Sequence, residues 1–217
     1  MPLGKPREAA TITLMDIDTL RRTGSPGSLE GQMLIAMPNM PDERFSGTVI
    51  YICAHNEDGA MGIVVNRQAR NVGFADLLVQ LDIVAKNDAI RLPRDIGQKL
   101  VMAGGPVEPA RGFVLHSTDF ILPDATRSIA PDLGLTVTLD ILRAIARGEG
   151  PKSSLLALGY AGWGSGQLER EILENSWLHG PADTSLILGA DHESKYARAL
   201  ATLGIDKAFL SQESGHG

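Results

Sequence analysis

From residue 29 onward the chain alternates between short, dense apolar runs and polar breaks punctuated by glycine and proline. QMLIAM, residues 32–37, reads as a buried strand, and PNMPDERF after it, with two prolines, must be a loop. GTVIYICA follows as a β-rich run in which Val49, Tyr51 and Cys53 would face one way and Ile50, Ile52 and Ala54 the other. Both faces are apolar, so this strand is expected at the centre of a sheet, covered on both sides. Asp58-Gly59 supplies turn residues and MGIVVNR a second strand, which together predict a β-hairpin.

Further on, the period changes. FADLLVQLDI carries Phe74, Leu77, Leu78 and Leu81 at the spacing of an amphipathic helix. Residues 82–98 show no clear period and read as irregular. KLVMAGGPV predicts a short strand, a Gly-Gly turn and a proline stop, and RGFVLHS another strand. TVTLDILRAIARGEG passes from strand to helix, with Leu139, Leu142 and Ile145 on one side and Gly148 as its stop. SSLLALGYAG is a near-continuous apolar strand, QLEREILEN a helix, TSLILG one more strand, and ESKYARALATLG a last helix ended by Gly204. Hairpin-paired strands come first and strands alternating with helices later. This is not the strict βαβ order of a doubly wound sheet, so the predicted class is α+β with a mixed sheet. Residues 1–28, ending in TGSPGS, read as a flexible N-terminal extension with a short helix near Met15 to Arg22. Residues 29–217 form the predicted single domain and end in a polar tail.

Composition narrows the function more than the fold. The net charge is −6 and paired basic residues occur only at Arg21-Arg22, so no basic stripe is available for a phosphate backbone. Direct nucleic-acid binding is not expected. The single cysteine, Cys53, excludes an intrachain disulfide and a cysteine-based zinc site. The N-terminus lacks the apolar run of a signal peptide and no stretch is long and apolar enough for a membrane helix, so a cytoplasmic protein without membrane association is expected.

GYAGWGSGQLEREILEN, residues 159–175, holds four glycines before a helix. No lysine completes a P-loop, the last spacing of a dinucleotide fingerprint is one residue short, and Trp163 displaces the pattern of a serine elbow. Two readings remain: a tight strand-to-helix corner, or an anion site that Glu169 and Glu171 would disfavour. Five histidines make no metal-binding spacing. His55 and His116 each end a strand. With Glu57, Asp58 and Asn66 they could form a polar acid–base cluster, or they could be bonded to loop backbone. Cys53, in an apolar strand and on the face expected for His55, reads first as a small hydrophobe and secondarily as a thiol nucleophile. Asp42, Glu43 and Arg44 stand in a loop after a strand end, where functional groups often sit.

Three blocks, GQMLIAMPNMPDERFSGTVIYICAHNEDGAMGIVVNR, AGGPVEPARGFVLHS and GYAGWGSGQLEREILENSWL, resemble the YqgE/AlgH family of bacterial proteins, in order, with the match running from about Leu29 to Leu210, most of the chain. The resemblance implies an α+β fold with a bent mixed sheet, partly barrel-like and surrounded by helices. It implies no defined activity. Some members carry the label of transcriptional regulator, and here such a role would run through a partner or ligand without DNA contact. The polar residues in the matched blocks are the candidate site: Asp42, His55, Asn66, Arg111, His116, Gln167, Glu171 and Asn175. No cofactor or metal is expected. The first expectation is a non-enzymatic regulatory or interaction protein with a protein or small-molecule partner. The alternative is a ligand-binding or hydrolase-like protein with a polar pocket near His55 and His116.

Overall fold

The computed structural model describes residues 27–206. The predicted helix near Met15 to Arg22, almost all of the predicted extension, and the end of the polar tail lie outside them. The first half runs β1 (Gln32–Ala36), β2 (Val49–Asn56), β3 (Gly59–Val64), β4 (Gln68–Gly73), α1 (Phe74–Gln80), α2 (Lys86–Ala89), α3 (Arg94–Gly97), β5 (Leu100–Ala103) and β6 (Val107–Ser117). The second half runs β7 (Thr126–Ala130), β8 (Leu133–Thr136), α4 (Leu139–Ala146), β9 (Ser154–Gly164), α5 (Gln167–Leu173), β10 (Trp177–Pro181), α6 (Thr184–Leu188) and α7 (Lys195–Thr202). The strands form one ten-stranded sheet in the order β10-β1-β2-β3-β9-β6-β8-β7, with β5 beside β9 and β4 beside β5. All pairings are antiparallel except β5 with β9. The sheet curls into a half-barrel with helices around it, the α+β class predicted from the chain.

The alternation of β2 lies where its sequence predicts, in the interior. Val49, Tyr51 and Cys53 pack with Ile63, Phe113, Leu115 and the α6–α7 pair on one face. Ile50 and Ile52 pack with Trp163, Leu168 and Trp177 on the other. The alternation breaks at Cys53, where the β2–β3 register shifts between Ile52 and Ala54. A bulge adds one residue to one strand and reverses the facing of everything after it. Ala54 therefore packs with the Tyr51 face, and His55, paired with Ala60, falls on the Ile52 face. This corrects the expectation that His55 and Cys53 share a face.

β9 is the spine. It bonds β5 at Leu156, Ala157 and Leu158, and β6 at the same three residues, so those two strands lie on its opposite edges. The chain passes between the edges in three residues, Gly104-Gly105-Pro106. The predicted Gly-Gly turn is thus a backbone crossing over Gly159 and Tyr160: a Cβ on Gly105 would lie 2.1 Å from the Tyr160 carbonyl carbon.

Other predictions need correction. TSLILG is the helix α6, because Asp183 caps it by accepting from the Ser185 N–H at 2.8 Å. Leu186 and Ile187 are both buried in this short helix, which mimics the apolar run of a strand. Residues 82–98 contain the single-turn helices α2 and α3. Strands β4, β7 and β10 were not predicted; β4 (QARNVG) is mostly exposed and paired only with β5.

α7 opens on Lys195, which is fully buried. Its ammonium donates to Ile187 O at 2.6 Å and Val65 O at 3.0 Å, tying α7 to α6 and to the end of β3. Burial, with Arg198 nearby, pushes its pKa down to about 8, and Asp191 opposes the shift only in part. A lowered lysine pKa means the unfolded chain binds more protons between that value and 10.5, so this term adds stability as pH rises. The stability difference between wild type and Lys195→Met is expected to move by about 2 kcal/mol in favour of wild type from pH 7 to pH 10. Urea unfolding of both proteins at the two pH values measures it; a constant difference would show that the ammonium is not desolvated.

Candidate functional site

The site grows from the corner between β9 and α5. Gly166 takes a left-handed conformation (φ 65°) and turns the strand directly into the helix. Gln167 and Glu171 then stand one turn apart on the same helix face. The Gln167 side-chain carbonyl accepts from the Gly164 N–H at 3.0 Å, and its amide donates to Glu171 Oε1 at 2.8 Å. Glu171 Oε2 accepts from two indoles, Trp163 Nε1 at 2.9 Å and Trp177 Nε1 at 2.8 Å. The rings meet edge to face with centroids 5.9 Å apart, and Phe45 meets Trp177 likewise at 5.6 Å. One carboxylate thus orients both tryptophans of the chain.

The end of α5 fixes this carboxylate in turn. The Ser176 N–H donates to Glu171 O at 2.9 Å and the Asn175 N–H to Ile172 O at 3.0 Å. This is a Schellman closure, and Asn175 supplies its left-handed residue (φ 56°). The exposed Asn175 is therefore a helix stop that sends the chain into β10 with Trp177 turned inward.

The β1–β2 loop completes a cleft of about 450 Å³ with Met40, Pro41, Asp42, Arg44 and Phe45 opposite Gln167, Glu171, Glu174 and the two indoles. Asp42 is paired with Arg44 through both carboxylate oxygens, at 2.6 to 3.0 Å, and the hydrogen bonds from Arg44 hold its carboxyl below the usual range. The cleft joins an aromatic wall to three carboxylates and one guanidinium.

Of the eight candidate residues, Asp42, Gln167 and Glu171 line this cleft and Asn175 shapes its edge. The other four are placed apart from it. His55 is buried; its Nδ1 accepts from the Leu29 N–H at 2.9 Å, so Nε2 carries the proton and donates to Glu169 Oε1 at 2.8 Å. Glu169 is held below its ordinary pKa by its own backbone N–H first and by His55 next. His55 therefore clasps the start of the described chain against α5. Asn66 bridges Gly47 O at 2.9 Å and the Val49 N–H at 2.8 Å, fixing the entry into β2. Arg111 pairs with Glu108 at 2.5 Å along β6. His116 is buried, donating from Nδ1 to Ser117 O at 3.0 Å and accepting at Nε2 from Thr136 Oγ1 at 2.8 Å. Burial lowers its pKa, so the imidazole is neutral at pH 7.

Neither His55 nor His116 lines this cleft, and both nitrogens of each ring are engaged in holding backbone and neighbours. Cys53 is wholly buried and burial pushes its thiol up, the reverse of an activated nucleophile. Among the described residues no group of three or more His, Cys, Asp or Glu could hold a metal ion, and no helix is long and apolar enough to cross a membrane. The candidates drawn from the sequence did not include Trp177, Phe45 or Glu174. The available signal was the scarcity of tryptophan, two in the chain, placed eight residues before and six after Glu171.

A curled mixed sheet whose spine strand leads into a helix that clamps two indoles with one carboxylate defines an α+β half-barrel protein with an aromatic, acid-lined cleft. The chain belongs to the AlgH-like family (DUF179), whose profile matches residues 33–208. A UPF0301 protein of Nitrobacter hamburgensis is 60% identical over 196 residues, covering 89% of this chain and 91% of that one. The solution structure of the AlgH protein from Pseudomonas aeruginosa is 41% identical, superimposes with a TM-score of 0.68, and covers 90% of this chain and 100% of its own. A crystal structure of a Corynebacterium diphtheriae protein shares the fold at 20% identity, with a TM-score of 0.63 over 86% of this chain and 91% of its own.

Proposed function

We propose that the protein acts by binding, and that the cleft between the β1–β2 loop and α5 takes a cationic peptide segment or organic cation. The observation that carries this reading is the indole–carboxylate clamp. Glu171 spends its oxygens on Trp163, Trp177 and Gln167, which orients an aromatic wall and leaves the site's negative charge uncancelled. Asp42 and Glu174 add to that charge and Arg44 offsets one unit. An excess of carboxylates over an apolar aromatic lining suits ammonium and guanidinium groups chiefly through charge, since the indoles themselves are almost wholly buried. A regulatory role, if the protein has one, would run through such a partner, since the net charge of −6 disfavours direct contact with nucleic acid. Binding also fits the cleft better than turnover, because Asp42, Gln167 and Glu171 are already engaged by Arg44, the Gly164 N–H and the two indoles.

Both tryptophans line this cleft, so tryptophan fluorescence, excited where tyrosine does not absorb, reports on it. Titration with lysine- and arginine-bearing peptides and with quaternary amines is expected to shift or quench the emission for at least one of them. Glu174→Lys, an exposed charge reversal at the end of α5, is expected to weaken that response about tenfold or more. A flat response across the panel overturns the reading, as does hydrolytic turnover that is lost on His55→Ala or His116→Ala.

A further inference from the structure

A second cleft, sharing no residue with the first, carries the opposite charge. Its volume is about 500 Å³, within the range that encloses small organic ligands. One side is apolar, with Phe74 from α1, Ile145 from α4 and Leu156 from β9. Around that floor stand Arg94, Lys99 and Lys152 against one lining carboxylate, Asp95, with Asp119 outside the lining accepting from the Lys152 N–H at 3.2 Å. The chain holds 26 acids to 20 lysines and arginines, so three cations to one acid in a single concavity is a local reversal of its charge.

One group in this cleft lacks the charged partner its chemistry calls for. Lys99 is half-buried, and its ammonium donates to the Ser154 hydroxyl at 3.3 Å, a long bond to a neutral acceptor. Asp95 acts on it only at a distance, and burial lowers its pKa, the mark of a cation held partly out of water. His192, between α6 and α7, also lines the cleft. A half-buried cation without an adjacent counter-charge is costly, and an anion placed here would satisfy the lysine.

We propose that this cleft binds a small amphiphilic anion, with a carboxylate or phosphate head at Arg94, Lys99, Lys152 and the Ser154 hydroxyl and an apolar body against Phe74, Ile145 and Leu156. The reading is independent of the cation cleft, because the two sites share no side chain. Charge selects the head group and the apolar floor selects the body, so neither inorganic phosphate nor a neutral alcohol of the same length reproduces both.

Amide NMR shifts of the isotope-labelled full chain at residues 99, 152–154 and 189–192 read this cleft. The probes are octanoate, octyl phosphate, 1-octanol, octylammonium and inorganic phosphate. One or both octyl anions are expected to bind at least tenfold more tightly than the alcohol, the amine or inorganic phosphate, and the two anions separate a carboxylate site from a phosphate site. Lys99→Met is expected to raise the anion's Kd at least tenfold while leaving that of 1-octanol unchanged. Lys152→Gln, an exposed change that spares the core, gives a smaller loss in the same direction. The proposal is overturned if the alcohol or inorganic phosphate binds as well as the octyl anions, if no probe moves these amides, or if both substitutions leave the anion's Kd unchanged.

Discussion

Glu171→Ala is expected to destabilise the protein by about 3 to 5 kcal/mol, and Glu171→Gln by about 1 to 2 kcal/mol. The carboxylate accepts three side-chain hydrogen bonds, and two come from indoles that are only 7% and 3% exposed. Hydrogen bonds to a charged group are the stronger kind, and a buried donor left without an acceptor costs its full desolvation. Alanine removes all three acceptor contacts and leaves a hole beside Trp163, Trp177 and Leu168. Glutamine keeps the shape but presents one oxygen and one amide. If the oxygen meets the indoles, its amide faces the amide of Gln167, which cannot turn over without losing the Gly164 N–H. At least one bond is therefore lost. For a chain of this size each kcal/mol moves Tm by about 2 to 4 °C, so alanine should lower Tm by about 10 °C. Urea unfolding followed by tryptophan emission measures both variants. A loss below about 1 kcal/mol for the alanine variant would mean that the clamp is a surface contact without energetic weight.

This site was only partly legible in the chain, for reasons specific to each residue. Gln167 and Glu171 could be read as one helix face because their spacing is local. The partners of Glu171 could not be read, since Trp177 reaches it only after the Asn175 closure turns the chain, and β10 is short and half polar. His55 and His116 look alike in sequence, each at a strand end, yet one clasps Glu169 and the other is sealed against Thr136. The bulge at Cys53 moved His55 to the opposite face, and no propensity marks that extra residue. Strands with apolar cores were visible because burial demands Val, Ile and Leu at alternate positions. Edge strands such as β4, with QARNVG, were not, because they bury too little to leave a pattern. The α6 error has the same root: Leu186 and Ile187 point to burial, and only the Asp183 cap distinguishes helix from strand. The basic cleft drew its members from α1, α3, α4, α6, β5, β6, β9 and the connections that follow α3, α4 and α6, a convergence that no local motif could announce.

Gly159→Ala is expected to destabilise the protein by more than about 4 kcal/mol, whereas Gly164→Ala, five residues along the same strand, should cost less than about 1 kcal/mol. The two glycines are indistinguishable by motif. At Gly164 an added Cβ has nothing nearer than the Gln167 side-chain oxygen at 3.9 Å. At Gly159 it would stand 2.4 Å from Gly105 O, 3.0 Å from Val107 O and 3.2 Å from Pro109 Cα, all of them backbone. The residue also sits at φ +75°, which costs an alanine about 1 kcal/mol or more before any clash is counted. Neither side can give way. β9 is locked by ladders to β3, β5 and β6, and the crossing chain is pinned where the Gly104 N–H donates to Leu158 O at 2.7 Å and Gly104 O accepts from the Val64 N–H at 2.8 Å. Relief would require breaking strand pairs at the centre of the sheet, so the penalty should exceed about 4 kcal/mol, a large share of the roughly 5 to 15 kcal/mol that holds a domain together. Expression of both variants, with circular dichroism and thermal unfolding of whatever is recovered, separates them. A Gly159→Ala protein that melts within a few degrees of wild type would show that the chain does not cross β9 at this point, and the two-edged pairing of the spine strand would have to be redrawn.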